Sequence, residues 1–295
     1  MSATRKDLTL LLDRYIEALT ARDANRLPLA PNVRFTENGQ RLAMKWALWA
    51  TASGKPYPRY ADFIDTERGE AATFTAIDEN GTPVVLSLRI KVVNGKIAEA
   101  EHVVCRHHDI LFNPQGLMQP ATQFTPVAAH RRPTRAQAEK IADLYFDGVE
   151  QDNGDVIPVL PDCIRVENGL QTVLAADDSL SAQRRNGLNL GKLGVTGQIN
   201  TGYFKYIDRI RDRRYMLFDE EQSVVFGIVF FEHPGTVKSV RVKGVPGVDV
   251  VELPPFTQHP SSAEIAEAFQ IENGKIRSIA AVLDFFPFGM RSGWD

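Results

Sequence analysis

The chain has 295 residues, and 34 Lys plus Arg against 37 Asp plus Glu give a formal net charge of −3, with 43% hydrophobic and 24% charged residues. These are globular proportions; the near-neutral balance argues against a nucleic-acid binder, which shows a basic excess, and no stretch approaches the roughly 18 apolar residues of a membrane span. At roughly 150 residues per domain the length suggests two domains. Met1 to Asp13 is polar and lacks the apolar core of a secretory signal, so a cytoplasmic location is expected. Cys105 and Cys163 are too few for a disulfide framework or a four-ligand zinc site, and their apolar, strand-like surroundings read as two buried thiols.

The first element is a helix. Thr4 stands where an N-cap belongs, with Asp7 at N3 and Leu8, Leu11, Leu12, Tyr15, Ile16 and Leu19 at helical spacing. Pro28 and Pro31 then break the chain, and a short strand ends in Glu37-Asn38-Gly39. A further helix is expected around Leu42 to Ala52. Strands follow at Ala72 to Ile77, Val84 to Val93 and Ile97 to Cys105, joined at Asn80-Gly81 and Asn94-Gly95. Asn-Gly marks a hairpin because a type I′ turn needs φ > 0 at both central positions. Residues 113–133, with Pro114, Pro120, Pro126 and Pro133, read as a linker whose Leu117, Met118, Phe124 and Val127 pack along a surface.

Beyond the linker the pattern starts again. At a spacing of 130, Thr4, Arg5, Asp13, Tyr15, Pro28, Pro31 and Glu37-Asn38-Gly39 recur as Thr134, Arg135, Asp143, Tyr145, Pro158, Pro161 and Glu167-Asn168-Gly169. That is nine identities in 36 positions, where chance gives about two. Asn94-Gly95-Lys96-Ile97 recurs at a spacing of 179 as Asn273-Gly274-Lys275-Ile276, so the second copy is longer by about 49 residues. Its strands are expected at Arg214 to Phe218, Val224 to Phe231, Ile265 to Ile271 and Ile276 to Leu283. The division is therefore a first domain at 1–112, a linker at 113–133, and a second, enlarged domain at 134–295. Two irregular segments, 177–201 and 232–262, are confined to the second copy; such loops are lids or binding loops, or else surface elaboration.

Helices first, then an antiparallel meander whose last strand follows an Asn-Gly-Lys-Ile turn, resembles the nuclear transport factor 2-like (SnoaL-like) superfamily. The stretches Asp208–Tyr215, Phe218–Glu221, Phe269–Ile276 and Phe288–Trp294 are similar to a group of tandem two-copy proteins of that superfamily from bacteria and fungi. The resemblance implies an α+β fold of two tandem cone-shaped barrels, each with helices packed on a curved antiparallel sheet. It also implies an apolar interior that holds a small ligand, and it brings no catalytic assignment.

The richest ionisable cluster is Glu99 to Asp109, on and after the last strand of the first copy. Alternation sets His102, Arg106 and His108 on one face, where a His near neutrality could act as a base while Arg106 holds an anionic intermediate; the other reading is a solvated sheet edge. No H-x-x-E-H pattern accompanies these histidines, so no metal is expected. Asp62 and Asp65 precede the meander and either bring a carboxylate to the cone's mouth or cap a turn. Trp46 and Trp49, three apart, form an aromatic wall or pack in the core. Tyr15 and Tyr145, at equivalent helix positions, are phenol donors or core residues. Arg209, Arg211 and Arg213 alternate along a strand, as an anion clamp or as a solvated or interface face. Asp284 and Arg291 are further candidates in the second copy.

There is no G-x-G-x-x-G after a strand, no phosphate-binding G-x-x-x-x-G-K-[ST] and no G-x-S-x-G elbow, which argues against nucleotide, flavin and serine-hydrolase chemistry. The expectation is a cofactor-independent lyase or dehydratase acting by acid–base chemistry on a small apolar, aromatic or polycyclic molecule. The superfamily resemblance includes lyases that release formaldehyde from lignin-derived diaryl compounds. Isomerase, cyclase or epoxide hydrolase chemistry at the same site, and a non-catalytic binding or assembly module, stay open. No nucleic acid or membrane partner is expected; the copies would pair as an intrachain pseudo-dimer, with a further homodimer of chains left open.

Overall fold

Thr4 and Thr134 both cap helices through full capping boxes, closed by Asp7 and Gln137 respectively. In the computed structural model, which describes residues 3–175, 184–185 and 188–294, the first half runs α1 (Arg5–Thr20), β1 (Leu29–Glu37), β2 (Gln40–Leu42), α2 (Leu48–Thr51), β3 (Ala52–Ser53), β4 (Ala61–Asp65), β5 (Glu70–Glu79), β6 (Thr82–Val93) and β7 (Lys96–Cys105). The second half runs α3 (Arg135–Glu150), β8 (Val159–Glu167), β9 (Leu170–Gln171), β10 (Arg184–Arg185), β11 (Leu188–Asn189), α4 (Val195–Asn200), β12 (Arg209–Asp219), β13 (Val224–His233), β14 (Ser239–Arg241), β15 (Val250–Glu252), β16 (Ser261–Glu272) and β17 (Lys275–Pro287). The helix expected over Leu42 to Ala52 shrinks to the single turn α2. Leu42 is taken by the β1–β2 hairpin opposite Phe35, and Ala47 has φ 53°, outside helical space.

Each half curls one sheet around its long helix, which makes the architecture α+β with cone-shaped sheets. The first sheet has the order β2-β1-β7-β6-β5-β3 with β4 on β5, and the second β12-β13-β16-β17-β8-β9. The β1–β7 and β17–β8 pairs are parallel and the other pairs antiparallel. The repeated Glu-Asn-Gly has a structural job in both. Asn38 sits at φ 51° and clamps Val104, accepting from its N–H at 2.7 Å and donating to its C=O at 3.0 Å. Asn168, at φ 48°, clamps Leu283 in the same way at 2.9 and 3.0 Å.

The outer faces of the two sheets pack against each other, with Phe63 and Phe74 meeting Phe226 at centroid distances of 6.1 and 5.8 Å. Residues 113–133 are tied to this seam. Leu117, Phe124 and Val127 are buried, Asn113 N–H donates to Asn168, and Val127 N–H donates to Glu221. Gly116 crosses Gly169 so closely that a Cβ on Gly116 would lie 1.9 Å from the Gly169 carbonyl oxygen. Both cysteines are free and buried, and burial pushes the Cys163 thiol up to about 12. Among the described residues no helix is long and apolar enough to cross a membrane.

Candidate functional site

The strand on which His102 sits ends at Cys105, because Asp109 accepts from the Arg106 backbone N–H and turns the chain away. His108 follows in that turn with φ 81°. His108 therefore leaves the face that alternation predicts, while His102 and Arg106 both reach Glu37. His102 points into the first cone and is 0% exposed. Its Nδ1 faces Glu37 Oε2 at 3.4 Å and its Nε2 meets the Tyr15 hydroxyl at 3.0 Å. A carboxylate on Nδ1 selects the tautomer with hydrogen there, leaving Nε2 to accept from Tyr15. Arg106 joins from the rim, donating to Glu37 at 2.8 Å and Glu79 at 2.7 Å. Burial opposes ionisation of Glu37, but His102 and Arg106 outweigh it and hold the carboxyl below its usual range. Phe35, Trp49 and Leu88 fill the space around this relay.

The second cone differs at the inward positions. Glu37 and Leu88 flank His102 in register, and Glu167 and Glu267 flank Ala281 in the same way. Ala281 therefore stands where the first half has His102, Glu267 where it has Leu88, and Arg165 where it has Phe35. An imidazole is gone, and a cavity of about 930 Å³ opens in the second half. Neither Tyr15, His102 nor Arg106 borders it. Its volume lies within the roughly 300–1,000 Å³ of small-molecule sites.

The cavity combines aromatic rings with an ionic cluster around Arg165. Phe112, Tyr203, Tyr206, Phe231, Phe256 and Phe285 supply rings. On the wall, Arg165 donates to the Tyr145 hydroxyl at 2.9 Å, Glu167 at 3.0 Å, Thr172 at 3.0 Å and the Gln198 side chain at 2.8 Å. Glu267, 3% exposed, lies beside this group. Burial first and the neighbouring Glu167 carboxylate second push its carboxyl up to about 8, against the pull of Arg165 and Tyr145. Asp284, on the neighbouring strand β17, also borders the cavity, as does the exposed His108, and burial and Asp109 push its carboxyl up to about 7.

Of the residues expected from sequence, Tyr145, His108 and Asp284 border this cavity. Tyr15, Trp49, His102 and Arg106 meet in the packed first cone instead. Asp65 is buried at the seam, accepting from Arg135 at 2.7 Å and Phe218 N–H at 3.0 Å. Asp62 pairs with Arg59 at 2.7 Å, Trp46 is 58% exposed under Lys45, and Arg209 and Arg291 are exposed. The expected alternation of the arginines breaks at Asp212, φ 50°, where the register slips. Arg211 then pairs with Glu232, Arg213 with Asp147 and Glu150, and Arg214 with Glu101 across the seam. Both irregular segments reach the cavity, 177–201 through Leu190, Gln198 and Ile199, and 232–262 through His233, Pro254, Phe256 and Ser261. Residues 176–183 and 186–187 lie outside the described residues. No group of three or more His, Cys, Asp or Glu with metal-binding geometry occurs among the described residues.

The family model of a domain of unknown function, DUF8021, matches residues 1–104 and 131–283. The chain belongs to the DUF8021 family. No curated protein matches it. Among solved structures, the DUF8021 chain is similar to an NTF2-like protein of unknown function from Cytophaga hutchinsonii, at 17% identity over 35% of this chain and 92% of that one, TM-score 0.28. A de novo designed protein with a curved β-sheet matches at 14% identity over 35% and 88%, TM-score 0.29. A presumptive polyketide cyclase from Sinorhizobium meliloti matches at 20% identity over 34% and 99%, TM-score 0.26.

Proposed function

We propose that the chain is a cofactor-independent acid–base catalyst of the lyase or dehydratase type, acting on a small aromatic molecule in the second-half cavity. The observation that carries this reading is Glu267: a carboxyl on the wall of an aromatic cavity that keeps its proton up to about pH 8. Elimination needs both an acid and a base. Glu267, pushed up to about 8, suits donation to a leaving oxygen, while Asp284, which also borders the cavity and is pushed up to about 7, suits proton removal. Arg165, fixed by four acceptors, and the Tyr145 hydroxyl supply positive potential for the charge that develops between them. Of the residues to which the sequence assigns the chemistry, His102, Asp65 and Arg106 lie away from this cavity and His108 borders it, so the roles pass here to Glu267, Asp284, Arg165 and Tyr145.

The test is turnover on a panel of aromatic alcohols and ethers, with and without EDTA. Glu267→Gln keeps size and hydrogen bonding but cannot give up a proton, and a loss of about 10²–10⁴-fold in kcat is expected for a general acid. Full turnover in that variant would rule out the assigned role. Stoichiometric binding without turnover across the panel would favour a binding module.

A further inference from the structure

At the end of the cavity opposite Arg165, two polar side chains lack protein partners. His233 ends β13, is 3% exposed, and lines the cavity. Its Nδ1 is buried and has no hydrogen-bond partner. Ser261 begins β16 directly across from it in register, also lines the cavity, and its Oγ is likewise buried and unpartnered. Paired positions on antiparallel strands project to the same side with Cβ atoms about 5 Å apart, so one small group can reach both. An orphaned polar atom costs roughly 1–3 kcal/mol, and two on one cross-strand pair, both facing a cavity, mark a place that a ligand completes.

Aromatic rings define the shape around the pair. The His233 ring stacks on Tyr206 at 5.4 Å and 29°, and meets Phe285 at 5.3 Å; Phe285 in turn meets Phe256 at 5.6 Å. Burial also pulls the His233 pKa down to about 4, with no charged neighbour contributing, so the imidazole is neutral at pH 7. A neutral imidazole offers one donor and one acceptor, and a serine hydroxyl offers both. A ligand hydroxyl fits either tautomer, whereas a carboxylate only accepts and finds no countercharge here, and a methyl leaves both atoms orphaned.

We propose that His233 and Ser261 form a recognition subsite for a neutral hydroxyl group carried on an aromatic ring, the hydroxyl bonding both side chains while the ring lies among Tyr206, Phe256 and Phe285. This rests on the second-half cavity as the ligand site and gives its ligand a chemical class, a phenol-type alcohol bound hydroxyl-first. The ionic wall with Glu267 then faces the ligand's other end.

Three probes of nearly equal shape test it by fluorescence titration at pH 7: 2-naphthol, 2-methylnaphthalene and 2-naphthoate. The wild type should bind 2-naphthol at least about tenfold tighter than the other two. Ser261→Ala, a minimal change, and His233→Phe, which keeps the stacking, should each bring naphthol and methylnaphthalene within about threefold of one another. Equal affinities in the wild type, tighter naphthoate binding, or undiminished discrimination in both variants would overturn the subsite. Naphthol preference in the wild type together with full turnover in Glu267→Gln sinks the acid–base reading and leaves the subsite standing. Failure of all three probes to bind sinks both.

Discussion

His102 and Ala281 occupy one position in two sheets of the same connectivity, and the halves part company around it. In the first, the imidazole uses both nitrogens, on Tyr15 and Glu37, with Phe35, Trp49 and Leu88 buried around it. In the second, the corresponding helix tyrosine, Tyr145, bonds Arg165 instead, and Glu267 replaces an inward leucine. A buried hydrogen-bonded network rigidifies a core. A carboxyl held protonated by burial, with an alanine leaving space in front of it, is instead an arrangement poised for a ligand. The strand framework is common to both; inward substitutions, together with the segments 177–201 and 232–262 that border the cavity, separate core from container.

The sharpest way to break this comparison is to put the plug back. Ala281→His sets an imidazole between Glu167 and Glu267, as His102 sits beside Glu37, and takes up space at the ionic wall. Binding of an aromatic probe should weaken by about 100-fold or more, roughly 3 kcal/mol; unchanged affinity by calorimetry would mean that this position does not gate the cavity. The reverse exchange, His102→Ala, should leave probe binding alone and lower stability by about 3 kcal/mol, since it opens a void and strands the Tyr15 hydroxyl. Urea unfolding reads this directly, and a loss under about 1 kcal/mol would mean that the first cone collapses around the gap.

Acid–base titration separates the halves by a smaller margin. Glu267 keeps its proton up to about pH 8 in the folded chain, against 4.5 for an unperturbed carboxyl. Its contribution is therefore complete below pH 4.5 and lost as pH rises through 8. Glutamine is neutral throughout, so the stability of Glu267→Gln relative to the wild type should climb from pH 5 to pH 8.5. A gap that stays constant over that range would show Glu267 to be ionised at neutrality. The corresponding Leu88→Gln change in the first half should show a constant gap.

What was legible in the sequence was what local chemistry alone decides. The capping boxes at Thr4 and Thr134 and the Asn-Gly turns need only neighbouring atoms, and each turn asparagine has the expected positive φ. The cavity was not legible, because Arg165 and Glu267 are charged residues in strands, and period-two reasoning sends such residues to solvent. Burial on both sides of a central strand defeats that rule: Glu267 sits in β16, paired by β13 and β17. A signal was present all the same. The spacing of 179 that aligned Asn94 with Asn273 also sets Glu267 on Leu88 and Ala281 on His102, and a helix-facing leucine that becomes glutamate is the mark of a changed interior. The His102–His108 face failed for a different reason, since a strand end depends on the Asp109 side chain folding back on Arg106, which no alternation pattern contains.

Trp46 and Trp49 give the smallest contrast and a clean one. Their spacing of three suggests a shared helix face, but Ala47 at φ 53° lies between them and delays the helix to Leu48. Trp49 goes to the core edge-on to Tyr15 at 5.3 Å, while Trp46 stays 58% exposed with Lys45 over its ring. A lone exposed cation–π contact is worth about 0.5–1 kcal/mol, and part of that returns as side-chain freedom. Trp46→Ala should therefore shift stability by no more than about 0.5 kcal/mol and leave probe binding untouched. If it instead weakened binding of an aromatic probe, a ligand surface would have to exist on the first half, and the division into a filled cone and an open one would need to be redrawn.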